Sequence, residues 1–180
     1  MSLPKFPSAV RHATRAAVAL IITAFAMEAG AQPPTPPAKV TFTGGGRGNI
    51  SNTVAIPANA AVVWTSGTVP GVADQNAPAG SRARYGDTKT QAVSVLTAIE
   101  ARLKEHGLTM KDVVYLRAYL VPDKEKGGTI DTQGWNEAYG QFFNNATNPV
   151  KPARSTVGVV ALVNADWLVE VEAFAVYSPQ

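Results

Sequence analysis

A helical period gives way to a strand period in the middle of this chain. That change limits the fold more than any other feature. From Asp87 to His106, the residues Ala92, Val95, Leu96, Ile99 and Leu103 recur at helical spacing and form one apolar stripe. Asp87 can cap the start of this helix and Gly107 can close its end. Glu100 and Lys104 make an i,i+4 pair on its polar side. Then Val113 to Val121 alternates: Val114, Leu116, Ala118 and Leu120 face one way, and Tyr115, Arg117 and Tyr119 the other. A one-striped helix next to a two-faced strand calls for helix layered on sheet.

The flanking segments extend that layer. Lys39 to Thr43 and Val54 to Pro57 read as short strands, and Ala61 to Ser66 as a buried strand stopped by Gly67. Gly44 to Gly48 lacks the Lys-Ser/Thr of a P-loop and the G-x-G-x-x-G spacing, so it reads as a hairpin loop, not a phosphate cradle. Gly71 to Gly86 and Pro122 to Asp131 are polar loops. Thr132 to Phe143 is a second helix with Trp135, Tyr139, Phe142 and Phe143 in its stripe. After the loop Asn144 to Pro152, two strands follow at Thr156 to Leu162 and Leu168 to Ser178, joined across Val163 to Trp167. The expected class is α+β: one mixed sheet of about six strands with two helices on one face. In the last strand the other face carries Glu170, Glu172, Phe174 and Val176. A half-apolar bare face predicts self-association.

The ends read differently. Lys5, Arg11 and Arg15 precede an uncharged, mostly apolar run from Ala16 to Met27, and Ala29-Gly30-Ala31 supplies small residues for cleavage. That order is a secretory signal peptide over residues 1–31, too short in its apolar part to span a membrane. Export to the periplasm or beyond is expected, with no membrane attachment after cleavage. Residues 32–38 form a proline-rich tail, leaving a single domain at 39–180. Without the leader, Lys plus Arg falls from 16 to 13 and Asp plus Glu from 13 to 12, for a net charge of +1. No basic run remains to track a nucleic-acid backbone, so nucleic acid is not an expected partner. The chain has no cysteine, which excludes disulfides, zinc ribbons, iron–sulfur clusters and thiol nucleophiles.

Pro152-Ala153-Arg154-Ser155 opens a stretch to Glu172 that closely resembles the C-terminal motif of the Rid (YjgF) family, whose best-known members are enamine/imine deaminases. Trp64 to Pro70 resembles the family's early S-G-x-[IV]-P turn. Asp112-Val113-Val114 and Trp135-Asn136-Glu137-Ala138-Tyr139 fit its middle, and the long loop from Gly71 resembles an exported subgroup. The resemblance covers about Ala60 to Tyr177. It implies a chorismate-mutase-like fold, a homotrimer, and a ligand cleft at each subunit interface. It places the substrate carboxylate on Arg154 and the hydrolytic water near Glu170, with Gly67, Asn136 and Thr156 lining the cleft. The family often has cysteine where Thr156 stands, and its N-terminal tyrosine has no counterpart in Gly48 to Pro57.

The residues themselves leave alternatives open. A guanidinium at Arg154 can grip a carboxylate through two parallel bonds, or form an interface salt bridge with Glu170 or Glu172. Glu170 can hold a water or serve as an interface partner. Glu172 reads as structural. His106 suits a helix end, where a cation is favoured. With one histidine left after cleavage, no metal site is expected, and no organic cofactor either. The expected activity is hydrolysis of enamines or imines to 2-keto acids and ammonia. The alternative is a non-catalytic trimer binding a small carboxylate or amino-acid-like ligand. Ribonuclease activity, a third reading, suits the near-neutral charge poorly.

Overall fold

A computed structural model describes residues 35–177. The expected leader and its cleavage point after Ala31 lie outside the described residues. Six strands and two helices follow in the order β1 (Thr41–Thr43), β2 (Thr53–Ala55), β3 (Val62–Trp64), α1 (Thr88–Glu105), β4 (Val113–Leu120), α2 (Thr132–Phe142), β5 (Ala153–Gly158) and β6 (Val169–Val176).

The six strands form two sheets where the sequence suggested one. A four-stranded mixed sheet runs β3-β6-β4-β5, and β1 and β2 make a separate antiparallel ribbon. The connection is one parallel bridge, Ser51 to Ala153, with the Ser51 N–H donating to the Pro152 carbonyl at 3.3 Å. Pro152 has no N–H to return, so the ladder cannot continue upstream. Within the main sheet β6 is antiparallel to β3 and β4, whereas β4 and β5 are parallel. That parallel pair requires a crossover, and α2 supplies it.

Both helices cover one face. Ala92, Val95, Leu96, Ile99 and Leu103 of α1 and Trp135, Ala138 and Tyr139 of α2 pack on Leu116, Ala118, Leu120, Val169, Val171, Ala173 and Ala175. The α1 ends are as the residues suggest. The Asp87 carboxylate accepts from the Thr90 N–H at 2.8 Å. Gly107, at φ +72, closes the other end while the Leu108 N–H reaches back to the Leu103 carbonyl at 2.9 Å. Only an almost unhindered residue takes that left-handed turn cheaply. A bulge between Val113 and Tyr115 leaves both Val113 and Val114 buried at one end of the alternation.

Among the described residues the opposite face carries no helix. Trp64 lies 4.1 Å from Phe174 between ring centroids, and Tyr115 meets the same ring edge-on at 5.8 Å. Trp64 is 62% exposed, and Val62 and Val157 are exposed too. Arg117 sits over the Tyr115 ring and lies 3.5 Å from Glu172, giving Glu172 a structural partner.

The long loops are pinned by polar contacts. Arg82 grips the buried Asp123 carboxylate through two bonds of 3.0 and 2.8 Å, tying the Gly71–Gly86 loop to the Pro122–Asp131 loop. Gln91 is wholly buried. Its amide donates to Gly86 and Asp166 carbonyls and accepts from the Leu168 N–H at 2.7 Å, so every strong polar group it buries is used.

Candidate functional site

Arg154 is the second residue of β5. Its parallel partner on β4 is Leu116, a core residue under the helices, so Arg154 points to the helix side of the sheet. There it meets α2. Helical geometry puts Trp135 and Tyr139, four residues apart, on one line, with Asn136 beside them. The guanidinium carbon lies 4.3 Å from the Tyr139 ring centre and 5.4 Å from that of Trp135. One terminal nitrogen donates to Asn136 Oδ1 at 3.3 Å. Nε and the other terminal nitrogen are shielded from solvent and have no partner.

Burial works against the charge on Arg154 and pushes its pKa down, while neighbouring Tyr139 acts in the other direction. A guanidinium starts high enough to stay charged all the same. Burial also pushes the Tyr139 phenol up to about 12, so it stays neutral and its hydroxyl donates a hydrogen bond to the Asn49 carbonyl at 2.9 Å. Aromatic faces offset part of the desolvation of a cation, but they supply no counter-charge. Among the described residues Arg154 makes no ion pair. The site is a cation held in place and left short of an anion.

Glu170 is elsewhere. It pairs with Tyr119 in the sheet, and Tyr119 lies on the uncovered face. Gly67 adjoins it: a Cβ there would stand 1.9 Å from Glu170 Oε1, so glycine alone leaves room for that carboxylate. A hollow of about 460 Å³ opens beside Gly67, lined by Trp64, Ser66, Arg102 and His106 among others. The expected site residues therefore fall into two sets. Arg154 and Asn136 meet on the helix side, with Thr156 exposed two residues further along the same face of β5. Gly67 and Glu170 meet on the open side. Within one chain the sheet separates Arg154 from Glu170 and Glu172, so no intrachain salt bridge forms.

His106 ends α1 and its carbonyl accepts from the Tyr177 hydroxyl at 3.0 Å. Another hollow, of about 610 Å³, lies between the loops near Arg82, Asp123 and Asp166, away from Arg154; its Arg82 and Asp123 charges already satisfy each other. Among the described residues no group of three or more acidic or histidine side chains could hold a metal ion.

Trp135 and Tyr139, which their spacing marks as core, also back the guanidinium, and Asn49 reaches Tyr139 from a turn that carries no motif. The helical spacing of the aromatics was visible. Their role depends on which way Arg154 points, and that is set by the β4–β5 register.

A mixed sheet under two helices, with a strand-borne arginine against the second helix, defines a class of small α+β proteins. The family model described as endoribonuclease L-PSP matches residues 50–177. The chain belongs to that family, which is the YjgF/RutC/Rid family. A RutC family protein of Pyrococcus abyssi is 38% identical over 90 residues, which are 50% of this chain and 62% of the relative. The chain thus spans less than two thirds of the length of the curated relatives it matches. The crystal structure of E. coli TdcF with bound serine matches with a TM-score of 0.51 and 29% identity, over 68% of this chain and 85% of that one. The Rid family protein YyfB of Yersinia pestis matches with a TM-score of 0.50 and 26% identity, over 72% and 87%.

Proposed function

We propose that this protein hydrolyses enamines or imines bearing a carboxylate, as an exported homotrimer with a cleft between neighbouring subunits. One observation carries the reading: Arg154 is half-buried against two aromatic rings, has unpartnered nitrogens, and finds no carboxylate partner among the described residues. A small carboxylate from solution meets that need through charge-assisted bonds. The serine bound to the similar E. coli TdcF carries such a group.

The chemistry asks little of the protein. With its carboxylate on Arg154, the imine presents its carbon to one water. Glu170, brought by a neighbouring subunit, takes a proton from that water as its oxygen bonds to the imine carbon. The resulting aminoalcohol breaks its carbon–nitrogen bond. Glu170 first passes the water's proton to the nitrogen; as the carbon–nitrogen bond breaks, the hydroxyl's proton follows by the same carboxylate, so that ammonia leaves and a 2-keto acid remains. The reaction consumes one water and needs no oxidant or cofactor. Holding and orienting the reactants supplies the acceleration.

An imine generated in place by an amino-acid oxidase provides the test. Its decay should be faster with the protein present and unaffected by the Arg154→Ala variant. Decay that the wild-type protein leaves unchanged across a panel of amino acids would sink the hydrolase reading. If carboxylates still bind, the second reading holds: a non-catalytic trimeric binder. Thr156, standing where the family often has cysteine, favours that reading.

A further inference from the structure

The turn between β1 and β2 folds onto the arginine site. Gly44, Gly45 and Gly46 have φ of +75, +85 and +38. A Cβ on Gly45 would stand 2.2 Å from the Ile50 carbonyl oxygen, so the tight reversal depends on glycine. The returning arm is fixed at several points. The Tyr139 hydroxyl donates to the Asn49 carbonyl at 2.9 Å, the Ser51 N–H to the Pro152 carbonyl at 3.3 Å, and Lys151 Nζ to the Gly46 carbonyl at 3.2 Å.

The Tyr139 bond uses only the backbone of Asn49 and leaves its side chain at the site. Asn49 Nδ2 donates to Asn136 Oδ1 at 3.3 Å. The same oxygen receives the Arg154 terminal nitrogen, also at 3.3 Å. Both bonds are long, and one neutral amide oxygen serves a cation and an amide together. A carboxylate is a better acceptor for either, with enough lone pairs for both. The two donors share an acceptor, so they are near neighbours.

We propose that Asn49 is a ligand-binding residue: its amide rests on Asn136 when the site is empty and donates to the ligand carboxylate beside Arg154 when it is filled. This rests on the reading of Arg154 as the carboxylate anchor. It adds a donor from the glycine turn, a segment the family match at residues 50–177 does not reach.

The test compares pyruvate binding by wild type, Asn49→Ala and Asn49→Asp, using titration calorimetry with melting temperature and oligomeric state recorded alongside. Losing a bond to a charged ligand should weaken binding about tenfold in Asn49→Ala. Asn49→Asp keeps the shape, and Asn136 can turn its amide to restore the contact between them. It nevertheless places a competing carboxylate next to Arg154. A ligand role therefore predicts the affinity order wild type, Asn49→Ala, Asn49→Asp, with melting temperature and assembly unchanged. A purely structural role predicts that Asn49→Ala binds pyruvate as wild type does, or weakens only together with a fall in melting temperature or a change of assembly, and either result overturns the assignment. The underlying reading fails separately. If wild type takes up no pyruvate, or Arg154→Ala binds it as wild type does, the anchor is wrong and the role of Asn49 falls with it. If Arg154→Ala loses binding while both Asn49 variants bind normally, only Asn49 is misassigned.

Discussion

Arg154 combines a charge that wants an anion with a geometry that selects one. Tyr139 and Trp135 back the guanidinium, and Asn136 takes only one of its nitrogens. Lysine at this position keeps the charge but loses the planar fork and the stacking on the rings. Arg154→Lys should therefore weaken carboxylate binding by about ten- to a hundredfold, as expected for a charge-assisted paired contact. Arg154→Ala should lose at least as much. Light scattering on the same samples separates the two roles of the residue: binding lost in an intact oligomer supports the anchor, and binding lost only through dissociation makes Arg154 an assembly residue. The sequence showed the arginine and its motif clearly. It could not show that Glu170, sixteen positions later, faces the other way. Facing follows from the ladder, in which Arg154 aligns with Leu116 and Glu170 with Tyr119.

Elements with one clean period were legible; those set by pairing partners were not. The α1 stripe and the β4 alternation each bury the residues their spacing marks. The strand expected at Thr156 to Leu162 instead begins at Ala153 and ends at Gly158, although the apolar run continues beyond it. Val160 and Val163 are 94% and 96% exposed, because apolar character alone supplies no ladder partner. The split of β1 and β2 into a ribbon was equally hidden, since it turns on one bridge beside a proline. Capping is the local effect most open to measurement. The Thr90 N–H bond holds the Asp87 carboxyl below its ordinary value of 3.8. A depressed carboxyl stabilises the fold above its unfolded pKa, and that contribution disappears as pH falls through the lower folded value. Asp87→Ala should cost about 1 kcal/mol at neutral pH. The gap between variant and wild type in urea melts should narrow as the pH drops below 3.8. A gap that stays constant down to the acid limit would mean that the charge contributes nothing to the cap.

On the proposed reading each chain carries two halves of a site on opposite faces of its sheet. One face of the sheet holds Gly67 and Glu170, the other Arg154 and Asn136, and the exposed Trp64–Phe174–Tyr115 strip lies on the face that has no helix. A closed ring of three chains would cover that strip and bring the Glu170 of one chain to the Arg154 of the next. Light scattering at micromolar concentration should then give a trimer mass, and protein recovered after export should begin at Gln32 by intact mass. Mixing variants tests the shared site more sharply. Arg154→Ala and Glu170→Ala homotrimers should each fail to hydrolyse imines. Unfolded together and refolded in equal amounts, the two chains assemble at random. A cleft is whole when its arginine comes from a Glu170→Ala chain and its glutamate from an Arg154→Ala neighbour, which happens for about one cleft in four in a closed symmetric ring. Activity should return to about a quarter of the wild-type value. Were both residues needed from the same chain, no mixture could make a whole cleft, and the refolded sample would stay as inactive as its parents.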